Sequence, residues 1–103
     1  MPDVKRHGLI IDEQQIADFC RRHGIRCLRW FGSILREDFG PDSDVDVLVE
    51  FLPGRAPGWI GFAALAMELE RIIGREVDLR TAADLSERIR HRVLSEAEVQ
   101  YAA

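Results

Sequence analysis

The chain has 103 residues, a length that predicts one domain, spanning 1–103, with a single modest core. Its composition, 47% hydrophobic and 31% charged, is that of a globular protein and excludes a disordered chain. A net charge of -4 and a pI ≈ 5.3 argue against general attraction to nucleic acid or to an anionic membrane, so direct nucleic-acid binding is not expected.

Nothing in the sequence predicts export or a membrane span. The N-terminus has no apolar stretch that resembles a secretory signal, and the longest apolar uncharged run, 56–67, is shorter than the ~20 residues that cross a bilayer. Cys20 and Cys27 match neither a redox pair nor a zinc framework and are expected to be buried, reduced thiols. A cytoplasmic protein is the expectation.

The first half of the chain predicts a helix, a strand and a short helix after a loose leader over 1–11. A capping box at 12–15 and apolar residues at helical spacing predict a helix over 13–23, which Gly24 ends. Residues 25–31 are typical of a strand. Ser33 is expected to cap a short helix that runs to Asp38, before a turn over 40–43.

The second half predicts two strands and two helices. Residues 45–51 form the strongest strand pattern, with Leu48 indicating that both faces are covered. A helix over 59–73 ends at Gly74, and a short strand covers 75–80. Asp84 is expected to cap a helix over 85–97, and the last residues either continue it or form an edge strand. Helices covering a small sheet are the expected architecture.

Asp44 and Asp46 are the first candidates for chemistry. On a strand they share one face, and carboxylates leaning to ~4 Å would repel by ~4 kcal/mol at an effective dielectric of 20, a conflict that Mg²⁺ would remove. In water the repulsion falls to about 1 kcal/mol, so a solvated strand end is an equally valid interpretation. A calcium loop is excluded, because Val47 and Pro53 stand where glycine and glutamate are needed.

Gly32 and Ser33 follow a strand, where a glycine lets a ligand approach and a helix start offers N–H groups to an anion. A plain turn explains that pair equally well, and Asp78 alone is a solvated strand residue. Together the glycine-serine turn, the paired aspartates and an acid on a third strand form a much rarer combination.

This combination resembles a known family. Gly32-Ser33, Arg36 and 43–46 resemble the GSxxR…SDxD signature of polymerase-β-type nucleotidyltransferases. More closely, 31–51, 77–81 and 84–86 resemble the minimal nucleotidyltransferase antitoxins of the MntA type.

The resemblance implies an α/β (α+β) nucleotidyltransferase fold, a small mixed sheet flanked by helices. It implies that two Mg²⁺ ions are held by three catalytic acids, Asp44, Asp46 and Asp78. It further implies that nucleotide is bound by Gly32, Ser33, Arg36 and Ser43.

The same resemblance implies the substrate and the partner. Antitoxins of this type transfer AMP from ATP to a tyrosine of a HEPN-domain ribonuclease toxin and silence it. Two alternatives remain: a stoichiometric antitoxin that needs no catalysis, or a nucleotidyltransferase acting on tRNA or a small hydroxylated molecule.

Two further groups are interpreted as structural. The basic cluster of Arg88, Arg90 and Arg92 is expected to be a solvated helix face, with contact to ATP or to an acidic partner surface as its alternative. Trp59, with Phe62 and Met67, is expected in the core, with an exposed partner anchor as its alternative.

Overall fold

The computed structural model describes residues 4–6, 9–36 and 39–103; for residues 4–6 it describes the backbone only. The strands and helices, in chain order, are β1 (Val4–Arg6), β2 (Leu9–Ile11), α1 (Glu13–Arg22), β3 (Ile25–Phe31), β4 (Val45–Phe51), α2 (Trp59–Ile73), β5 (Val77–Arg80), α3 (Glu87–Glu96) and β6 (Glu98–Ala102). Short 3-10 turns occupy Gly32–Leu35 and Ala82–Asp84.

A mixed four-stranded sheet in the order β5-β4-β3-β6 is the centre of the fold. β3 pairs antiparallel with both β4 and β6, whereas β4 and β5 are parallel. A parallel pair needs a crossover connection, and α2 supplies it. The expected small mixed sheet flanked by helices is therefore confirmed.

Alternation along β4 separates the two faces of the sheet. Val45, Val47 and Val49 point into the main core, which also contains the apolar sides of α1 and α2. Asp46 and Leu48 therefore point to the opposite face. Leu48 is fully buried there, which confirms that both faces are covered beyond the aspartates.

The predicted ends of the first two long helices are confirmed. Asp12 caps α1 by accepting a hydrogen bond from the Gln15 amide at 3.1 Å. Gly74 follows α2 in the left-handed region, with φ 78° and its amide bonded to the Glu70 carbonyl.

The expectation of a loose leader over 1–11 is wrong for the described part of that segment. β1 and β2 form an antiparallel hairpin, and Leu9 and Ile11 are buried in the main core. Strands of three residues carry too little periodicity to be recognised in sequence. Residues 1–3, 7 and 8 of the predicted leader lie outside the described residues.

The helix near the C-terminus begins later than expected. Ser86, not Asp84, precedes α3, because Asp84 accepts hydrogen bonds from the Thr81 amide and hydroxyl at 3.0 and 3.1 Å. The chain turns extended at Ala97 and continues as β6, which resolves the open choice in favour of an edge strand.

The short helix expected after Ser33 is a 3-10 turn over Gly32–Leu35, and the residue that precedes it is Phe31. Ser33 is thus inside the turn and does not cap it. Residues 37 and 38 of the predicted helix lie outside the described residues.

Of the α2 residues expected in the core, Phe62 packs there, whereas Trp59 and Met67 are exposed. Phe62 packs against the core and meets the Phe51 ring edge-on, with centroids 6.4 Å apart. Trp59 is 85% exposed and Met67 is 59% exposed, on the side of α2 that faces away from the sheet.

In the basic cluster, Arg90 is half-buried and donates to the Ala82 carbonyl at 2.8 Å.

Cys20 and Cys27 are free and buried, as expected. Burial raises the pKa of the Cys20 thiol to about 12, which makes it unreactive as a thiolate. Among the described residues no helix is both long and apolar enough to cross a membrane.

Candidate active site

Asp46 and Asp78 lie side by side on the face of the sheet opposite the main core. The parallel register of β4 and β5 pairs Asp46 with Asp78 directly. Adjacent strands are about 4.8 Å apart, so two carboxylates at paired positions on one face are close neighbours. The topology thus brings together two acids that are 32 positions apart in the sequence.

Asp44 lies just before β4 and is exposed. Its backbone carbonyl accepts a hydrogen bond from the Ser33 hydroxyl at 3.0 Å, which ties the strand entrance to the glycine-serine turn. The Asp44 carboxylate, two residues before Asp46 in the sequence, is near enough for its charge to raise the pKa of Asp46.

The glycine-serine turn is built around the carboxylate of Asp46. The Ser33 amide donates to Asp46 Oδ2 at 3.3 Å, and the Ser33 hydroxyl approaches the same oxygen at 3.5 Å. Gly32 has φ +70°, and a Cβ placed there would collide with Asp46 Oδ2. Glycine is therefore required at this position both for its backbone conformation and for the space that Asp46 occupies.

The acids interact electrostatically. Burial raises the pKa of Asp46, and the neighbouring charges of Asp78 and Asp44 raise it further, while hydrogen bonds from Ser33 act in the opposite direction. Ionised Asp46 is thus held in a strained electrostatic environment in the ligand-free protein. Such clusters are common at catalytic sites.

A cavity of about 540 Å³ is lined by Asp46 and Asp78, whereas Asp44 and Ser33 are not among its lining residues. Its floor includes Gly32, Asp46 and Asp78, and its far wall is the side of α3 that carries Ile89 and Val93. A second cavity, of about 650 Å³, lies along Leu48 to Leu52 on the same strand, but the acids of the cluster do not line it. The chemistry, and not the size, marks the first cavity as the candidate active site.

The donor set fits a hard divalent cation. Carboxylate oxygens are the ligands that Mg²⁺ prefers, and the three acids are close enough to influence one another. In the described ranges no group of three acidic, histidine or cysteine side chains is already arranged around a common metal position. The Asp78 carboxylate oxygens accept hydrogen bonds from Arg80.

Residues 14–102 match the family model described as polymerase beta, nucleotidyltransferase. The chain belongs to the polymerase β nucleotidyltransferase family. The resemblance seen in the sequence is confirmed.

Two relatives place the chain near the protein adenylyltransferases of this family. It is 39% identical over 75 residues to the protein adenylyltransferase MntA of Thermococcus cleftensis, covering 73% of this chain and 74% of that protein. It is 33% identical over 85 residues to a candidate protein adenylyltransferase of Methanocaldococcus jannaschii, covering 82% of this chain and 89% of that one.

Solved toxin–antitoxin structures share the nucleotidyltransferase fold. One, with AMP-PNP, superposes with a TM-score of 0.72 at 20% identity and covers 90% of this chain and 75% of that one. Another contains a tri-AMPylated Shewanella oneidensis HEPN toxin with its MNT antitoxin, with a TM-score of 0.64 at 20% identity over 88% of this chain and 70% of that one. At this identity the likeness establishes the fold.

Of the other residues expected in this nucleotidyltransferase site, Arg36 lines the cavity and Ser43 does not. Arg36 follows the 3-10 turn and is exposed at the cavity edge. Ser43 is in the turn before β4, where its hydroxyl accepts from the Gly40 amide at 3.2 Å. Nucleotide contact by either residue remains a prediction.

Sequence reasoning missed Arg80 and Glu96, which line the cavity together with Arg92, a residue of the basic cluster for which ATP contact was the alternative. Arg80 follows Asp78 by two residues on β5 and therefore shares its face, a signal that the sequence did contain. Arg92 and Glu96 form an ion pair at 3.0 Å on α3, and only the packing of α3 brings them to the site.

Proposed function

We propose that this nucleotidyltransferase is an antitoxin that transfers AMP from ATP to a tyrosine of a partner HEPN-domain ribonuclease toxin. The observation that carries the proposal is the pairing of Asp46 with Asp78 on adjacent strands, with Ser33 of the glycine-serine turn bound to the Asp46 carboxylate and Asp44 two residues before Asp46. The relatives named as protein adenylyltransferases support a protein acceptor. The shared fold of toxin–antitoxin structures, including one with AMP-PNP, supports ATP as the donor.

The reaction is a substitution at phosphorus. The tyrosine oxygen forms a bond to the α-phosphorus of ATP, the bond from that phosphorus to the bridging oxygen breaks, and pyrophosphate leaves. In this proposal Asp44, Asp46 and Asp78 would hold Mg²⁺, which would supply positive charge to offset that of the triphosphate. Asp78 also orients the tyrosine hydroxyl and accepts its proton.

The turn residues bind and position the nucleotide. Gly32 allows phosphate to approach the backbone closely, and the Ser33 amide and hydroxyl, which donate to Asp46 and to the Asp44 carbonyl, hold the turn beside these acids. Arg36 adds a positive charge at the cavity edge. We assign the activity to the cytoplasm, where RNA is present and where buried free thiols such as Cys20 persist.

The experiment is transfer of label from α-labelled ATP to the partner toxin in the presence of Mg²⁺. Asp44→Asn should abolish labelling, whereas Asp42→Asn should not, because Asp42 is an exposed turn residue outside the acid cluster. Mass analysis of the toxin should locate AMP on a tyrosine. The proposal is refuted if the toxin acquires no label, or if wild type and Asp44→Asn label it equally.

A second candidate is a stoichiometric antitoxin that neutralises the toxin by binding alone. The exposed apolar side of α2, with Trp59, Ile60 and Met67, favours it, because such surfaces are typical of protein interfaces. If Asp46→Asn protects cells from the toxin as well as wild type at normal expression, binding alone is sufficient. If protection is lost while the complex still forms, catalysis is required.

A further inference from the structure

Arg80 holds both oxygens of the Asp78 carboxylate in the ligand-free protein. Its Nε donates to Oδ1 at 2.9 Å and its Nη2 donates to Oδ2 at 3.2 Å. Both residues lie on one face of β5 and line the cavity that contains Asp46. The paired geometry is the strong, directional form of an arginine–carboxylate interaction.

This arrangement conflicts with the metal-binding role assigned to Asp78. A divalent cation that approaches Asp78 from the cavity meets a guanidinium already bound to both oxygens. The Asp78 and Arg80 side chains are 41% and 45% exposed, so the pair is weak enough to be broken by a competing cation. Cation and guanidinium thus compete for the same carboxylate.

We propose that Arg80 is a positioning residue with two states: it occupies Asp78 in the empty site and, once a divalent cation binds there, turns to the phosphates of the nucleotide. This inference rests on the proposed function, in which Asp78 is a metal ligand. While it binds Asp78, the guanidinium offsets part of the negative charge beside Asp46, with which it also interacts electrostatically. In the loaded site it becomes a cavity-wall cation for an anionic substrate.

A neighbouring arginine shows why Arg80 is suited to this exchange. Arg92, on the opposite wall of the cavity, is paired with Glu96 on its own helix, one turn away. Displacing Arg80 requires only the cation that Asp78 is proposed to bind, whereas nothing in the proposed reaction displaces Arg92 from Glu96. The two arginines therefore form a matched pair for an experiment.

The test measures binding of Mn²⁺ alone by electron paramagnetic resonance, without nucleotide or toxin. Arg80→Ala should bind Mn²⁺ roughly 3–10-fold more tightly, because a positive charge and a competing ligand leave Asp78. Arg80→Lys keeps the positive charge but cannot donate to both Asp78 oxygens in the same planar geometry, so its Mn²⁺ affinity should be between those of wild type and Arg80→Ala. Arg92→Ala should bind Mn²⁺ within about twofold of wild type, since it removes an equal charge that does not touch Asp78.

The second measurement is the affinity for ATP with saturating Mg²⁺, by calorimetry, where Arg80→Ala should bind several-fold more weakly. A residue that only supports the fold is not expected to change the two affinities in opposite directions, so that Arg80→Ala binds Mn²⁺ more tightly and ATP more weakly. The inference is overturned if Arg80→Ala leaves Mn²⁺ affinity unchanged or weakens it, or if Arg92→Ala changes it equally. If Asp78→Asn does not weaken Mn²⁺ binding, the metal assignment in the proposed function fails as well.

Discussion

Replacing an acid of the proposed active site should stabilise this protein, and Asp46→Asn is the clearest case. Asp46 and Asp78 occupy paired positions on adjacent strands, about 5 Å apart. Two charges at that distance repel by about 3 kcal/mol at an effective dielectric of 20 and by about 1 kcal/mol in water. The asparagine oxygen can still accept the hydrogen bonds from Ser33, so little is lost in exchange.

We therefore expect Asp46→Asn to raise the free energy of unfolding by about 1 kcal/mol without ligand. For a domain of this size that gain corresponds to an increase in Tm of about 4–8 °C. The measurement is thermal unfolding followed by circular dichroism at pH 7 in a chelator. Asp42→Asn is the control, since it removes the same charge from an exposed turn.

The pH dependence gives an independent check of the cause. The pKa of Asp46 is raised in the folded state from its ordinary value of 3.8, so protonation favours folding. The electrostatic penalty of wild type is complete above the folded pKa and disappears below the unfolded one. The Tm difference between Asp46→Asn and wild type should therefore close as the pH falls through that window. An Asp46→Asn protein that melts at or below the wild-type temperature at pH 7 would refute this reasoning.

Three other changes follow from the same structure. Gly32→Ala should lower the free energy of unfolding by more than Gly54→Ala, because both glycines have positive φ but only a Cβ at Gly32 would collide with Asp46. The backbone conformation alone should cost about 1–2 kcal/mol in each variant. Equal losses of stability in denaturant titrations of the two variants would contradict the contact between Gly32 and Asp46. Ile11→Ala should lower the free energy of unfolding by about 2–5 kcal/mol and Ile10→Ala by much less, because their side chains are 1% and 65% exposed. Similar denaturation midpoints for the two variants would mean that the hairpin does not pack against the core as described. Mg²⁺ with ATP should raise the wild-type Tm as the ligand concentration rises, and at 100 times Kd the added stability should be about 2.7 kcal/mol. An unchanged melting curve at saturating ligand would contradict the metal assignment.

Most of the candidate site could be proposed from the sequence because its residues are close together in the chain. The Gly32-Ser33 turn and the acids at Asp44 and Asp46 are separated by a short excursion, and each belongs to a strand end that residue type alone identifies. The pairing of Asp78 with Asp46 is different, since it depends on strand register, which the spacing of residues does not specify. The sequence pattern offered Asp78 as an acid on a third strand, and the family resemblance implied that it converges with Asp44 and Asp46.

The predictions that failed concern features decided by tertiary contacts. Helical periodicity located α2, but apolar residues occur all round it, so the pattern did not show that Trp59 faces away from the sheet. Either Asp84 or Ser86 could precede a helix, and the hydrogen bonds of Asp84 to Thr81 decide the choice. The hairpin that carries Ile11 is stabilised by burial in a core that distant residues build.

The register of the acids depends on the junction between α2 and β5, at some distance in the sequence from Asp44 and Asp46. The Glu70 carboxylate accepts a hydrogen bond from the Val77 amide at 3.0 Å, and the Glu76 carbonyl accepts one from the Val45 amide at 2.8 Å. These contacts join the starts of the two parallel strands immediately before their acids.

A slip of one residue at this junction would turn Asp78 toward the apolar core, where an ionised carboxylate is strongly disfavoured. Arg75, from the same junction, donates to the Gly40 carbonyl at 2.7 Å and also to the Ser43 carbonyl, and so fastens the turn that leads to Asp44. The end of α2 therefore aligns both strands that carry the acids, although Glu70 and Arg75 are not among the residues that line the acid-bearing cavity.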